Sequence, residues 1–504
     1  MLKINEKVLK KTIERCRERN IIIPTFSQLE NPDSAPEKIK SNLKNTGLWD
    51  VNPLNLFRIT WKNDPKENGG QGLFKGVNFL EMPPELTGVK ARIVGLIGKW
   101  FPTGAHKVGA AFGCLAPKLV TGEFDPAEQK AVWPSTGNYC RGGAFDCALL
   151  ACDAIAILPE GMSKERFEWL RKIGTKEIFA TPGCESNVKE IYDKCHELKR
   201  ERGDRIVIFN QFEEFGNAAW HYHVTGSAIE EVYNQIKTPK MRLSAYVSAT
   251  GSAGTIGAGD YLRKKFPLVK IAASEALQCP TLYMNGFGAH RIEGIGDKHI
   301  PWIHNVRNTD TIVAIDDEDS MQVLRLFNEE TGLKLLEKQG IKPAFYKKLE
   351  LMGISSICNL LSAIKLAKYF EFNENDVIFT VLTDSAEMYK SRIKELVEES
   401  GKYSEKDAVA GFERHLRGAG IDWVKELTYP ERKAVHNLKY FTWVEQQGKT
   451  VEELNELWLP EFWDRKFNEV AEWDKLIQDF NNQTGLLKQA ANSGLSIKPL
   501  RFQN

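Results

Sequence analysis

The nine cysteines of this 504-residue chain never fall in a CxxC pair. Paired spacing is the signature of a structural zinc site or a redox dithiol, and an odd, scattered set builds no disulfide framework. Reduced, mostly buried thiols in a cytoplasmic protein are therefore expected, and no metal site. Apolar runs are all shorter than the ~18 residues that cross a bilayer. The opening stretch, MLKINEKVLKKTIERCRERN, is charged throughout and lacks the apolar centre of a secretory leader. Neither sign of charge is in excess, with 68 Lys+Arg against 67 Asp+Glu. Such a balance gives nucleic acid or a membrane surface nothing to hold. Internal repeats and low-complexity tracts are missing too. So are the Walker lysine motif and the G-x-G-x-x-G spacing, which weakens any ATP- or dinucleotide-binding reading.

What the chain does contain is core-forming material. Hydrophobic residues make up 42% and charged residues 27%, enough for two or three structural units with a solvated surface. Residues 1–85 read as an extension: a first helix, then loops rich in proline and asparagine, such as WKNDPKENGGQG. Residues 86–395 carry nine β-rich runs: ARIVGLIG, KAVW, DAIAILP, KEIFATPG, RIVIFN, SAYVSATG, KIAASEA, TIVAIDD and DVIFTVLTDS. Amphipathic stretches such as SKERFEWLRKIG lie between most of them. Strands alternating with helices predict an α/β fold with parallel sheets, and near-continuous apolar strands predict helices on both faces. Residues 396–504 read as a helical extension. Its Trp443, Trp458, Trp463 and Trp473 are expected to anchor helices on the main body, a lid or a subunit interface being the alternative.

In open α/β sheets ligands bind beyond the carboxyl ends of the strands, and three such loops stand out. In KWFPTGAHKVGAAFG, Thr103 is the predicted N-cap, which puts Lys107 in the first helical turn. An amine there feels the positive end of the helix dipole, which favours a neutral nucleophile. A lysine snorkelling to the surface is the bland alternative. In AVWPSTGNYCRGGA, Ser135, Thr136, Gly137, Asn138 and Tyr139 form a tight loop of small and polar residues that can hold a carboxylate. In SAYVSATGSAGTIGAGDYL, Gly251, Ser252, Ala253, Gly254 and Thr255 precede a helix, a pattern that turns backbone N–H groups toward a phosphate. A phosphate cradle, a lysine and a carboxylate loop together suggest pyridoxal phosphate held as a Schiff base. The small neighbours of Lys107 then read as room for a flat cofactor ring.

Five ordered blocks carry a family resemblance: NQFEEFGNAAWHYHVTGSAIEEVYNQI, GSAGTIGAGDYL, HRIEGIGDKHIP, GISSICNLLSAIKLAK and VLTDSAEMYKSR. Over residues 85–395 the chain resembles the fold-type II pyridoxal-phosphate enzymes, most closely the cysteine synthase/cystathionine β-synthase group. The resemblance implies two parallel-sheet α/β subdomains, the smaller, mobile one at about residues 130–225. It implies that Lys107 forms the Schiff base and shuttles the proton at the substrate Cα, and that Asn138 bonds the cofactor's 3′-oxygen. Ser135, Thr136, Gly137 and Tyr139 would surround the substrate carboxylate, and Gly294 would lie near its amine. Residues Gly251 to Thr255 would hold the phosphate and Ser385 would meet the pyridine nitrogen. Asp384, its neighbour, would reverse that last assignment, since adjacent strand residues face opposite sides.

The chain departs from the group in places. AHK is similar to the tryptophan synthase β chain, which places His106 near the phosphate. The asparagine loop continues YCRGG, so Cys140 and Arg141 are expected to enter the substrate pocket, Arg141 favouring an acidic substrate. His221 and His223 read as structural. The implied activity is β-replacement or β-elimination on a serine- or cysteine-type amino acid through an aminoacrylate. The alternatives are a dehydratase or ammonia-lyase that stops at elimination, and an inactive relative that binds a metabolite. A small-molecule amino-acid substrate and a homodimer are expected from the family.

Overall fold

The computed structural model describes residues 3–184 and 186–488. All nine apolar runs are strands, and they divide between two sheets. The smaller sheet runs Glu177–Thr181, Asp153–Pro159, Lys130–Pro134, Ile206–Ile208 and is parallel throughout. Helices Asn138–Leu149, Lys164–Lys172 and Val188–Arg202 make its crossovers.

The larger sheet has seven strands. Its five central strands are parallel, in the order Thr311–Ile315, Lys270–Ala276, Arg242–Ala249, Asp376–Leu382, Arg92–Ile97. Every residue of Asp376–Leu382 is buried, because helices cover both faces. Antiparallel strands Val424–Glu426 and Phe79–Met82 close the two edges. Both lie outside 86–395, so each extension contributes a strand to the large sheet.

The extensions are also knitted to each other. Helix Pro460–Thr484 lies along helix Glu6–Glu18, and the carboxylate of Asp474 accepts the N–H groups of Phe26 (2.7 Å) and Ser27 (3.1 Å). Asn481 accepts from the N–H of Ile23 and donates to its carbonyl. The four tryptophans are all buried. Trp443 donates to the Ile300 carbonyl at 2.8 Å, Trp463 packs on Phe215, and Trp473 packs on Phe26. They anchor helices, as an apolar stripe dictates, and form no detached lid.

Helix Lys107–Thr121 crosses the middle of the molecule with nearly every residue buried. Its small residues have a different purpose from the one expected. A Cβ on Gly113 would fall 2.3 Å from the Gly216 carbonyl oxygen, and one on Gly109 would fall 2.2 Å from the Trp220 ring. They let helix Phe215–Trp220 approach closely and do not line a space for a ring.

Candidate active site

Helix Lys107–Thr121 begins on the lysine itself. His106 occupies the cap position, whereas Thr103, the expected cap, donates its hydroxyl to the Ala105 carbonyl at 3.0 Å. Lys107 is therefore at the first helical position, with its Nζ donating to Ser252 Oγ at 3.1 Å. The same Ser252 oxygen accepts from Asn217 Nδ2 at 3.0 Å. One cavity brings Lys107 together with Ser135, Thr136, Asn138 and Tyr139 from the small sheet, and with Gly251, Ser252 and Gly294 from the large one.

The 251–255 loop is built to receive an anion. The N–H groups of Gly251, Ser252, Ala253 and Thr255 have no acceptor among the described residues. Ala253 adopts φ +61°, which turns the chain sharply before helix Ile256–Lys265. The loop is braced from below: Ser248 Oγ donates to Thr255 Oγ1 at 2.7 Å and the Tyr246 hydroxyl to the Thr255 carbonyl at 2.9 Å. Convergent N–H groups at a helix N-terminus attract phosphate, and the amine of Lys107 lies beside them. These residues fit a phosphorylated aldehyde.

Asn138 is held from two sides. Its amide Nδ2 donates to Asp384 Oδ2 at 2.7 Å, and its Oδ1 accepts from Arg141 Nη1 at 2.9 Å. Burial pushes the Asp384 carboxyl up, against the opposing pull of Arg166, Asn138, Tyr389 and Arg141. Ser385 is not among the residues that line the lysine cavity. It lines a second cavity of about 380 Å³ with Thr103, Gly104, Arg141, Trp169 and Trp49. Of the two adjacent side chains, Asp384 is the one in contact with Asn138.

Cys140 and Arg141 stay out of the lysine cavity, contrary to expectation. The Cys140 thiol donates to the Gly137 carbonyl, and burial pushes its pKa up to about 12. Arg141 donates to the Thr103 carbonyl at 2.6 Å and lies 4.6 Å from the Trp169 ring centre. Gly137 has φ +147°, and a Cβ there would strike the Arg166 side chain.

His106 is buried against Trp61 and His221, and neither ring nitrogen has a partner among the described residues. Burial and the nearby Lys107 push its pKa down to about 3, so the ring is neutral. It does not line the lysine cavity. His221 bonds Thr225 and His223 bonds the Phe467 carbonyl.

Four residues of the cavity escaped the sequence reading: Gln211, Phe212, Asp297 and Thr383. Gln211 and Asp297 lie inside blocks already singled out, NQFEEFG and EGIGDKHIP, so a polar residue within a matched block was the available signal. Asp297 is nearly fully buried, and desolvation pushes its carboxyl up to about 8 despite the opposing pull of Lys107.

The pyridoxal-phosphate dependent enzyme family matches residues 100–341. The cysteine synthase of Staphylococcus aureus is 30% identical over 291 residues, covering 58% of this chain and 84% of that one. Cysteine synthase B of Campylobacter jejuni is also 30% identical over 291 residues, covering 58% and 87%. Among solved structures, a hydrogen sulfide-producing enzyme of Fusobacterium nucleatum superposes with a TM-score of 0.53 at 24% identity, over 62% of this chain and 95% of that one. The O-acetylserine dependent cystathionine β-synthase of Helicobacter pylori gives 0.52 at 24%, over 62% and 94%. At that identity the structures establish a shared fold.

Proposed function

The chain belongs to the pyridoxal-phosphate-dependent enzymes of the cysteine synthase type, and on that footing we propose that it carries out β-replacement or β-elimination on a serine-type amino acid. One observation carries the reading. Lys107 shares a single cavity with the Ser135–Tyr139 loop and with the anion-cradling Gly251–Ser252 turn. Pyridoxal phosphate, when bound, supplies the electron sink that makes a substrate Cα proton acidic.

Gly251, Ser252, Ala253, Gly254 and Thr255 would hold its phosphate, Lys107 its aldehyde end, and Asn138 its ring oxygen. Ser385, one residue beyond Asp384, is proposed for the ring nitrogen. Ser135, Thr136, Gly137 and Tyr139 bind the substrate carboxylate, and Gly294 leaves room for its amine. Lys107 takes the Cα proton and returns it, its amine oriented by Ser252 Oγ. His106, proposed to lie near the phosphate, stays neutral behind the lysine, packed against Trp61 and His221. The substrate is a small-molecule amino acid, and the working unit is a cytoplasmic homodimer of which residues 86–395 form the catalytic domain. Among the described residues no single helix is long and apolar enough to cross a membrane.

Adding pyridoxal phosphate to the purified protein should produce visible absorption that Lys107→Ala lacks. No absorption in the wild type would sink the reading. Donors are then assayed with and without a thiol. An amino-acid product that requires the thiol marks replacement. Pyruvate release indifferent to thiol marks the elimination-only alternative.

A further inference from the structure

The loop that carries Gly294 also carries a carboxyl group aimed into the lysine cavity. Asp297 lines that cavity with Lys107, Thr383 and Gln211. It is 6% exposed, and its Oδ2 has no hydrogen-bond partner among the described residues. An unpartnered buried carboxyl is destabilising unless it works on something else.

The backbone around it is pinned at three points. Thr281 Oγ1 donates to the Asp297 carbonyl at 2.8 Å. The Gly296 N–H donates to the Thr250 carbonyl at 3.0 Å, and His290 Nε2 bonds the Gly296 carbonyl at 2.9 Å. The side chain is thus held in place without its own oxygens being used.

Its electrical surroundings are sparse. Among the described residues Lys107 is the one charged group that acts on it, the phenol of Tyr192 and the thiol of Cys279 feel its charge in turn, and His290 sits on the neighbouring Gly296 carbonyl. Desolvation dominates and keeps the carboxyl protonated at neutral pH. A positioned, protonated carboxylic acid beside the proton-shuttling amine divides the acid and base work between two residues.

We propose that Asp297 is the acid that protonates the departing β-substituent, and that the donor is therefore an amino acid with a free β-hydroxyl, of the serine kind. This rests on the proposed β-chemistry. An ester leaves as a carboxylate with a pKa of about 4 and gains nothing from an acid of this strength. Hydroxide is the conjugate base of water, with a pKa of about 15.7, and does not leave unaided.

The protons balance. The Cα proton passes to Lys107. The Cβ–O bond breaks, its electron pair stays on oxygen, and that oxygen takes the Asp297 proton and leaves as water. A thiol then forms a bond from sulfur to Cβ and gives its proton to the Asp297 carboxylate. Lys107 returns its proton to Cα, and both residues regain their starting state.

The test compares L-serine and O-acetyl-L-serine as donors to a thiol in holoenzyme, Asp297→Asn and Asp297→Glu. Asp297→Asn should lose about 100-fold or more in kcat with serine, a far larger loss than it shows with O-acetylserine. Asp297→Glu should recover part of the serine rate. A second readout needs no turnover: the infrared carbonyl band of a protonated carboxyl should be present at pH 7, with or without cofactor, and absent in Asp297→Asn. Equal losses with both donors, a wild type that uses only O-acetylserine, or no Asn-sensitive band would overturn the assignment. Visible cofactor absorption retained by the variant separates that failure from failure of the underlying β-chemistry.

Discussion

Asn138 and Asp384 meet across the two halves of the molecule. The amide at the start of helix Asn138–Leu149 donates at 2.7 Å to a carboxylate just past strand Asp376–Leu382. The same Asp384 oxygen accepts from the Tyr389 hydroxyl at 2.8 Å. Asp384→Ala would leave the Asn138 amide and the Tyr389 hydroxyl without their shared buried acceptor. A buried donor left without its partner costs about 1–3 kcal/mol. We expect a loss of that order in denaturant unfolding, together with weaker pyridoxal phosphate binding as Asn138 loses its orientation.

Arg166 and Glu293 form a second tie between the halves, buried on both sides at 2.5 Å. Arg166 also donates to the Thr136 carbonyl at 3.1 Å, so the substrate loop depends on it. Glu293 is further held by Arg392. Glu293→Ala, which strands the buried Arg166, should cost about 3–5 kcal/mol, and Arg166→Ala, which leaves Glu293 with Arg392, should cost less. The double variant should lose far less than the sum, because neither charge remains stranded. Strict additivity in a double-mutant cycle would contradict this coupling.

Asp260 gives a pH dependence of definite sign. Desolvation pushes its carboxyl up to about 7 although Asn305 and Asn308 both donate to its Oδ1. A folded-state pKa above the unfolded value of about 3.9 means that the folded state binds more protons in between. That contribution is full below about pH 4 and is lost as pH rises toward 7. Asp260→Asn retains the Oδ1 acceptor and removes the titration. Its stability relative to wild type should therefore climb with pH, by at most about 1.4 kcal/mol per unit over that window, and level off above it. Urea unfolding from pH 4.5 to 8 measures the slope, and a flat difference would contradict the shift.

The sequence made nine strands readable, most directly where a strand covered on both faces is a continuous apolar run, as in DVIFTVL. Phe79–Met82 and Val424–Glu426 were not readable, since edge strands of four and three residues carry no such signal. The small residues after Lys107 misled because composition shows that space is needed but not for what. The close approach of Gly216 and Trp220 comes from a helix a hundred residues away. The site loops were visible through their positions after strands. Asp297 was not, because its burial depends on Thr250, Thr281 and His290, which the chain brings together only on folding. Parity along the strand could say that Asp384 and Ser385 diverge but not which one turns toward Asn138.

Arg141 tests what the wall of the site is for. The sequence suggested a cation that selects acidic substrates, but its guanidinium is spent on Asn138 Oδ1 and the Thr103 carbonyl, under the face of Trp169. Lysine keeps the charge but cannot reach two acceptors in that planar fork. Arg141→Lys should therefore weaken pyridoxal phosphate binding about tenfold, the worth of one hydrogen bond to a buried partner. The ratio of kcat/KM between neutral and acidic donors should stay unchanged. Should that ratio move while cofactor affinity holds, Arg141 would be acting on the substrate and its contact with Asn138 would be incidental.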